Sequence, residues 1–141
     1  MGMDIMNGIF TKSRTNALGF ALDTLSEKNT QVTRNVAHAD TPFYRAKKLE
    51  FSEVMAEYLS DGGLKKLYTT HEKHLQPISL PINPKDFVRR QNNPSLRTDG
   101  NDVNLDYEMS EQAKTSIQYS MMTDMVGGKF ATLKEIIRTR S

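Results

Sequence analysis

All five prolines of the 141-residue chain fall in its middle, at positions 42, 77, 81, 84 and 94. Because proline interrupts helices, this distribution leaves two proline-free arms in which long helices can form. The length is that of one ordinary domain. We therefore expect a single unit, residues 1–141, made of a terminal helical core (residues 1–41 and 99–141) and a proline-containing middle segment (residues 42–98).

The first arm carries one apolar stripe. Its members recur at steps of three, four or seven, the spacing that lines up one face of a helix: Leu18, Leu22, Leu25, Val32, Val36 and Ala39. Asn29 interrupts the stripe where Leu would be expected, and a polar residue at such a position can fix the register of paired helices. Pro42 disfavours helical geometry at Thr41, so the helix is predicted to end near Asp40.

The second arm predicts a helix about 50 Å long, with Asp106 as its N-cap and Glu108 in its first turn. Its apolar residues first recur every four positions and then every three or four: Met109, Ala113, Ile117, Met121 and Met125, followed by Tyr119, Met122, Val126, Phe130, Leu133 and Ile137. This stripe drifts around the helix, as expected if its two halves meet different partners. A coiled-coil-like antiparallel hairpin of the two arms would leave part of it uncovered, which predicts assembly with other chains.

Charge favours the same hairpin. Residues 12–48 carry seven basic residues against three acidic ones, a net charge of +4, and residues 99–128 carry one Lys against six acidic residues, a net charge of −5. The inner ends would bring opposite charges together: Arg34, Arg45, Lys47 and Lys48 near Asp99, Asp102, Asp106 and Glu108. The outer ends would bring Lys12 and Arg14 near Lys134, Arg138 and Arg140. We expect these like-charged ends to face an acidic surface of another subunit.

The middle segment contains one short predicted helix, in "FSEVMAEYL". Its apolar residues share a face and Gly62 and Gly63 follow it as a C-terminal stop: Phe51, Val54, Met55, Tyr58 and Leu59. The rest of the segment is broken by proline and predicts loops, with short β-strands at most.

Motifs that would carry chemistry are incomplete. The chain has no cysteine, which excludes disulfides and thiolate metal sites. His71 and His74 in "HEKH" are spaced by three, whereas the zinc motif needs four, and "DGNDVNLD" has Tyr107 where a calcium loop needs glycine. His38 has no neighbouring His or Cys with which to bind a metal. We predict neither catalysis, nor a metal, nor a cofactor.

Two further classes of partner are disfavoured. Arg89, Arg90 and Arg97 lie near Phe87, and basic patches with an aromatic residue can bind nucleic acid. However, the net charge of the whole chain is only +2, so we expect a solvated surface and no nucleic-acid partner. No apolar run approaches the ~20 residues of a membrane span, and "MGMDIMNGIF" does not resemble a secretory signal.

"RNVAHADTPFYRAKK", residues 34–48, resembles the N-terminal signature of the flagellar axial proteins of rod and hook. The matching residues are Asn35, Val36, Ala37, Ala39, Asp40, Thr41, Pro42, Tyr44 and Arg45. His38 stands where this family usually has Asn, and Phe43 stands where it has Gly, which permits the positive φ of a type II turn. "LEF" (49–51), "DGNDVNLDYEM" (99–109) and "KFATLKEIIR" (129–138) are similar to segments of proximal rod subunits.

The resemblance implies a structural subunit of the bacterial flagellar basal-body rod, which polymerises through its terminal helices into the tubular shaft that transmits motor torque. It also implies export by the flagellar type III apparatus without a cleaved signal peptide, and the partners FlgC, FlgF, FliE and further copies of the chain. A helical-bundle adaptor or secretion chaperone without rod assembly is the alternative. The expected assembly interface comprises Leu18, Leu22, Leu25, Val32, Asn35, Val36, Asp40, Thr41, Pro42, Tyr44, Ile117, Met121, Val126, Phe130, Leu133 and Ile137.

Overall fold

The computed structural model describes residues 15–60, 64–65, 80–91 and 98–139. The elements, in chain order, are helix α1 (Thr15–Ala37), strand β1 (Lys47–Lys48), helix α2 (Phe51–Ser60), strands β2 (Leu64–Lys65) and β3 (Leu80–Pro81), a 3-10 helix (Pro84–Phe87), strand β4 (Arg89–Arg90) and helix α3 (Leu105–Thr139). The predicted fold class, mainly α with long first and last helices, is confirmed.

Helices α1 and α3 form an antiparallel hairpin. Asn35 near the end of α1 contacts Glu108 near the start of α3, and Lys28, two turns earlier in α1, contacts Glu111. Helix α2 packs against α1, where the Phe20 and Tyr58 rings stack with their centroids 4.1 Å apart. The strands pair as two short antiparallel ribbons, β1 with β4 and β2 with β3.

The core lies between α1, the segment that follows it and the start of α3. Its buried apolar residues are Ala21, Leu25, Val32, Ala46, Leu49, Val54, Ile82 and Val103. Among the described residues, equally many polar ones are buried: Thr24, Lys28, Gln31, Asn35, Asn101, Asp102, Glu108 and Thr115. Because a buried polar group is costly unless it is hydrogen-bonded, the polar contacts largely determine how this hairpin closes.

Two predictions about α1 are wrong. Asn29 is exposed, and the buried polar position beside it is Lys28, since the buried face runs through Ala21, Leu25, Lys28, Val32 and Asn35. The helix also ends at Ala37 and not near Asp40, because the backbone changes there from i→i−4 to i→i−3 hydrogen bonds: the Ala39 N–H donates to the Val36 carbonyl at 3.2 Å and the Thr41 N–H to the His38 carbonyl at 3.0 Å. The buried face of α1 therefore follows the predicted helical period, but the polar residue within its apolar stripe is the charged Lys28 and not Asn29.

The predicted N-cap of α3 is also wrong. The helix begins at Leu105, and Asn104 caps it: its side-chain oxygen accepts from the Tyr107 N–H at 3.1 Å. Asp106 and Glu108 lie in the first turn, where acidic side chains stabilise a helix.

Helix α2 forms where the sequence predicts it. Val54 is its buried residue, Phe51, Met55 and Tyr58 are half-buried, and Leu59 is exposed. The predicted stop at Gly62 and Gly63, the histidines His71 and His74, and Arg97 of the basic cluster lie outside the described residues.

Candidate assembly site: a polar junction and an apolar helix face

The chain leaves α1 through a tight turn at Thr41–Tyr44. The Tyr44 N–H donates to the Thr41 carbonyl at 3.3 Å, Pro42 occupies the second position, and Phe43 has φ of 59°. Proline at the second position and a positive φ at the third are the features of a type II turn. The turn that glycine would favour therefore forms with phenylalanine in its place, at a cost in backbone strain.

Asn101 holds the end of α1. The two hydrogens of its side-chain NH₂ group are shared among three carbonyls, those of His38 (3.0 Å), Ala39 (2.9 Å) and Thr41 (2.8 Å). Its side-chain oxygen accepts from the Val103 N–H at 2.8 Å, and the residue is fully buried. A helix end leaves carbonyls without intrahelical donors. Asn101 supplies a donor from the far side of the chain and so attaches the second arm to the end of the first.

The segments after α1 and before α3 run side by side. The Phe43 N–H donates to the Asp99 carbonyl at 3.1 Å, and the Ala46 N–H donates to the Asp102 carboxylate at 2.6 Å. The same carboxylate contacts the Arg45 guanidinium at 3.4 Å, with the carboxylate side chain fully buried and the Arg45 side chain half exposed. This pair confirms one of the predicted attractions between the inner ends.

Asn35 pairs with Lys47 as a strand residue would. Its side-chain oxygen accepts from the Lys47 N–H at 3.0 Å, and its side-chain N–H group donates to the Lys47 carbonyl at 2.7 Å. It also donates to the Glu108 carboxylate at 3.0 Å and accepts from the Tyr44 hydroxyl at 3.4 Å. Asn35 is 1% exposed, so one amide joins α1, the returning chain and α3. We call residues 35–47 together with residues 99–108 the junction.

Two carboxyl groups near the start of α3, one in the junction and one just beyond it, have opposite pKa shifts. Burial raises the pKa of Glu108, against the hydrogen bond from Asn35, which lowers it; the nearby charge of Glu111 adds to the rise. Burial also acts to raise the pKa of Glu111, but hydrogen bonds from Lys114 and Lys28 outweigh it and lower that pKa. Lys28 and Glu111 form a nearly buried ion pair of 2.8 Å between α1 and α3.

His38 takes part in the turn. Its ring stacks on Tyr44, with centroids 4.6 Å apart, and its Nδ1 lies 3.2 Å from the Thr41 hydroxyl. Burial raises the pKa of Tyr44, although the charge of Arg34 acts to lower it. In the described residues no group of three His, Asp or Glu side chains could hold a metal ion.

The β1–β4 ribbon carries four basic residues in two facing pairs, Lys47 with Arg90 and Lys48 with Arg89. Like charges directly opposite one another destabilise a pair of strands. Glu53 relieves part of this by pairing with Arg89 at 2.6 Å, and Glu50 pairs with Lys48. The basic cluster predicted at Arg89 and Arg90 is thus a ribbon with acidic neighbours from α2 and the residue before it.

Helix α3 is polar towards α1 and apolar towards solvent. Glu108, Glu111 and Thr115 face α1. The apolar row that begins at Met109 is exposed along its length, as are further large side chains beyond it: Met109, Ala113, Ile117, Met121, Met125, Phe130, Ile136 and Ile137. Between residues 116 and 139 no residue of the helix is buried. None of the helices in the described ranges has the length and apolar character that crossing a membrane requires.

The residues predicted to form the assembly interface fall into three groups. Leu25, Val32 and Asn35 are buried inside the chain, where they hold its own elements together. Six are half-buried: Leu18, Leu22, Val36, Tyr44, Val126 and Leu133. Seven are exposed: Asp40, Thr41, Pro42, Ile117, Met121, Phe130 and Ile137. The exposed residues form two separate sets, one on the turn and one along α3.

Sequence reasoning missed the contacts that close the junction. The roles of Asn101 and of the Lys28–Glu111 pair were not predicted. A signal existed for one bond of Asn101, the bond from the Val103 N–H to its side-chain oxygen, since Asn and Asp commonly bind their own backbone two residues on. For Lys28 there was none, because a lysine between polar neighbours is ordinarily solvated.

Comparison with known proteins finds relatives of similar length, although no family model matches the chain. It is 28% identical to the flagellar basal body rod protein FlgB of Bacillus subtilis, over 83% of this chain and 87% of the relative. The FlgB proteins of Escherichia coli and Aeromonas hydrophila are 27% and 28% identical, each over 84% of this chain and 88% of the relative. Matches of this extent in several genera agree with the resemblance in the turn and before α3, and they show that the chain is similar to FlgB, a flagellar basal body rod protein, over most of its length.

Proposed function

We propose that the chain is a structural subunit of the proximal rod that polymerises through its terminal helices into the tubular shaft transmitting motor torque. A role as a component of the flagellar basal body rod is supported by the FlgB relatives. Assembly through the terminal helices is supported by the distribution of polar and apolar groups on α3.

The observation that carries the proposal is the exposed apolar face of α3. Ile117, Met121 and Met125 lie one turn apart and are each more than half exposed, and Phe130 and Ile137 continue the apolar surface towards the end of the helix. Burying one such side chain contributes roughly 1.5–3 kcal/mol. A large exposed apolar surface is typical of a protein–protein interface, so several neighbours acting on this face would supply the free energy of assembly.

The buried and exposed members of the predicted interface have different roles in this proposal. Leu25, Val32 and Asn35 fix the hairpin within one subunit, and the exposed members on α3 and on the turn contact other subunits. Flexible Met side chains at 121 and 125 suit a surface that packs against more than one neighbour.

The proposed partners are other copies of the chain and the rod proteins FlgC, FlgF and FliE. We further propose delivery by the flagellar type III export apparatus without cleavage of a signal peptide. The hairpin would then close after export, through the contacts of the junction.

The test is complementation of a strain that lacks this gene, with the wild-type chain, Ile117→Asp and a control. Asp at residue 117 would place a charge in a buried apolar contact of the assembled rod but in water in the free chain. We expect normal helix content in the purified variant, normal export, and no rods or motility. Gln118→Asp, at an exposed polar position beside it, is the control and should support motility.

The adaptor or chaperone reading gives the opposite result. It predicts a discrete oligomer by light scattering and rods that still form when Ile117→Asp replaces the wild-type chain. Intact rods in the strain without the gene would exclude a role as a rod subunit.

A further inference from the structure

Phe43 combines two features that the fold of one subunit does not require. Its side chain is 80% exposed, and its backbone has φ of 59°, in the left-handed region that favours glycine. A side chain in that region strains the backbone, and such outliers are concentrated at functional positions. Exposure of the ring adds an apolar surface that the subunit leaves unburied.

The ring is also held in a fixed direction. The Phe43 N–H donates to the Asp99 carbonyl, and the ring lies against Gly100, where an added Cβ would be 2.8 Å from the Phe43 Cδ1 atom. Gly100 itself has φ of 75°. A rigid aromatic side chain that projects from a fixed turn loses little conformational entropy on binding, which is the property of an anchor residue.

A receptor for such a ring lies at the other end of the molecule. Phe130, Leu133, Lys134 and Ile137, spaced by three or four on α3, line a depression of about 280 Å³. Pockets that accept whole drug-sized ligands begin at about 300 Å³, so this volume is ample for one phenyl ring. Lys134 at the lining would lie close enough to a bound aromatic face for a cation–π contact.

Phe43 and this depression cannot meet within one chain. Phe43 is held beside Gly100, before α3 begins, whereas the depression starts at Phe130, some 25 residues further along that helix. At 1.5 Å per residue this is a separation of roughly 40 Å. Contact between them requires two copies.

We propose that Phe43 of one copy inserts into the depression formed by Phe130, Leu133 and Ile137 of the next copy. Charge is complementary, since exposed Asp40 immediately precedes the turn that carries Phe43, while Lys134 and Arg138 lie at the depression and on the following turn of α3. A contact between unlike surfaces is heterologous, and when its rotation does not close it generates an open helical filament. The inference rests on the proposed function and names one contact by which copies join.

The absence of cysteine from the chain gives a direct test by cross-linking. Thr41→Cys and Ala131→Cys chains, changed at exposed positions beside Phe43 and Phe130, are purified separately, mixed over a range of concentrations and treated with a short bismaleimide. We expect a cross-linked pair containing one chain of each kind. Adding Phe43→Gly to the Thr41→Cys chain should lower the yield at least about tenfold, the loss expected for an anchor residue.

Controls separate the contact from random collision and from misfolding. Gln118→Cys, exposed elsewhere on α3, replaces Ala131→Cys in one control and should give little product. Glycine adopts a positive φ without strain, so Phe43→Gly should keep the circular dichroism of the parent chain. An unchanged yield with Phe43→Gly, an equal yield with Gln118→Cys, or no product at any concentration would overturn the inference.

One further variant asks whether the chain's own first residues fill the depression. A chain carrying both Phe10→Cys and Lys134→Cys should give no internal cross-link, and an efficient one would assign the depression to the same chain. Motility then distinguishes the two proposals. If Phe43→Gly cells swim normally but Ile117→Asp cells do not, this contact is wrong and the proposed function stands; if both swim normally, both proposals fail.

Discussion

The two ends of α3 differ in the polarity and burial of their side chains. Near its start the polar side chains of α3 contact α1: Glu108 is buried and accepts from Asn35, and Glu111 pairs with Lys28. Beyond Thr115 the same helix has no buried residue and presents apolar side chains to solvent. Hydrogen bonds are directional and fix one geometry, whereas apolar contact is non-directional and proportional to area. The subunit therefore uses specific polar contacts to hold its own shape, and its apolar surface remains for neighbours.

The most damaging change to the junction should be Asn35→Asp. It removes the amide donor to Lys47 and Glu108 and places a second carboxylate about 3.0 Å from the first. We expect a loss of about 3 kcal/mol or more in the free energy of unfolding at pH 7, measured by urea denaturation.

Acid separates the charge effect of Asn35→Asp from the lost hydrogen bonds. Protonation of one carboxyl relieves the repulsion, so the variant should recover part of its stability relative to wild type as the pH falls. The same relief at pH 7 is expected when Glu108→Gln is added. A loss below about 1 kcal/mol would mean that Asn35 is not central to the junction.

Asn101→Ala should have the next largest effect. Three carbonyls at the end of α1 lose their common donor, and a small cavity remains. We expect a loss of about 2 kcal/mol, together with faster amide exchange at the end of α1. Asn29→Ala, at an exposed position of α1, is the matched control and should change stability by no more than about 0.5 kcal/mol. Equal effects of the two variants would contradict the capping role.

The ion pair between Lys28 and Glu111 gives a smaller effect with a defined pH dependence. Lys28→Ala leaves Glu111 with Lys114 as its remaining partner in the described residues and should cost about 1–2 kcal/mol at pH 7. The lowered pKa of Glu111 means that its contribution is present above its ordinary pKa of 4.5 and is lost as pH falls through the folded value. Wild type and variant should therefore converge in acid, and a constant difference would rule out the pair as the cause.

Glu108→Gln should give the smallest change, and a gain. Burial raises the pKa of Glu108, so the folded chain favours the protonated acid. Its contribution to stability is fully present below pH 4.5 and is lost as pH rises through the raised pKa. Gln keeps an oxygen that can accept from Asn35 and carries no charge. Thermal melting should show a higher midpoint than wild type at pH 7 and none of this advantage at pH 4; a lower midpoint at pH 7 would contradict it.

The sequence predicted the elements better than the contacts between them. Periodicity identified both long helices and α2 because their apolar spacing is set locally by the helix itself. It placed Asn29 in the stripe, since an exposed and a buried polar residue one position apart look alike in a pattern. It placed the N-cap at Asp106 and not Asn104, since both residue types cap helices well. The three bonds of Asn101 join residues about 60 positions apart, and no local rule encodes such a pairing.

The end of α1 is a second place where the sequence predicted an element but not its exact contacts. Pro42 predicted where α1 could not continue, but the helix ended earlier, because the N–H groups of Ala39 and Thr41 donate to carbonyls three residues back and not four. The apolar row from Met109 to Met125 predicts assembly with other chains, and the complementation experiment with Ile117→Asp tests this prediction. Its period could not say that Glu108, Glu111 and Thr115, and not the apolar row, would face α1.

The central claim is that the junction is complete in one subunit whereas the outer part of α3 is completed by neighbours. Hydrogen–deuterium exchange of the purified chain and of assembled rods, resolved to peptides, tests it directly. We predict strong and nearly unchanged protection in residues 99–111 and a large gain in protection on assembly in residues 116–139. Equal protection of both regions in the free chain, or a gain confined to the junction, would contradict this account.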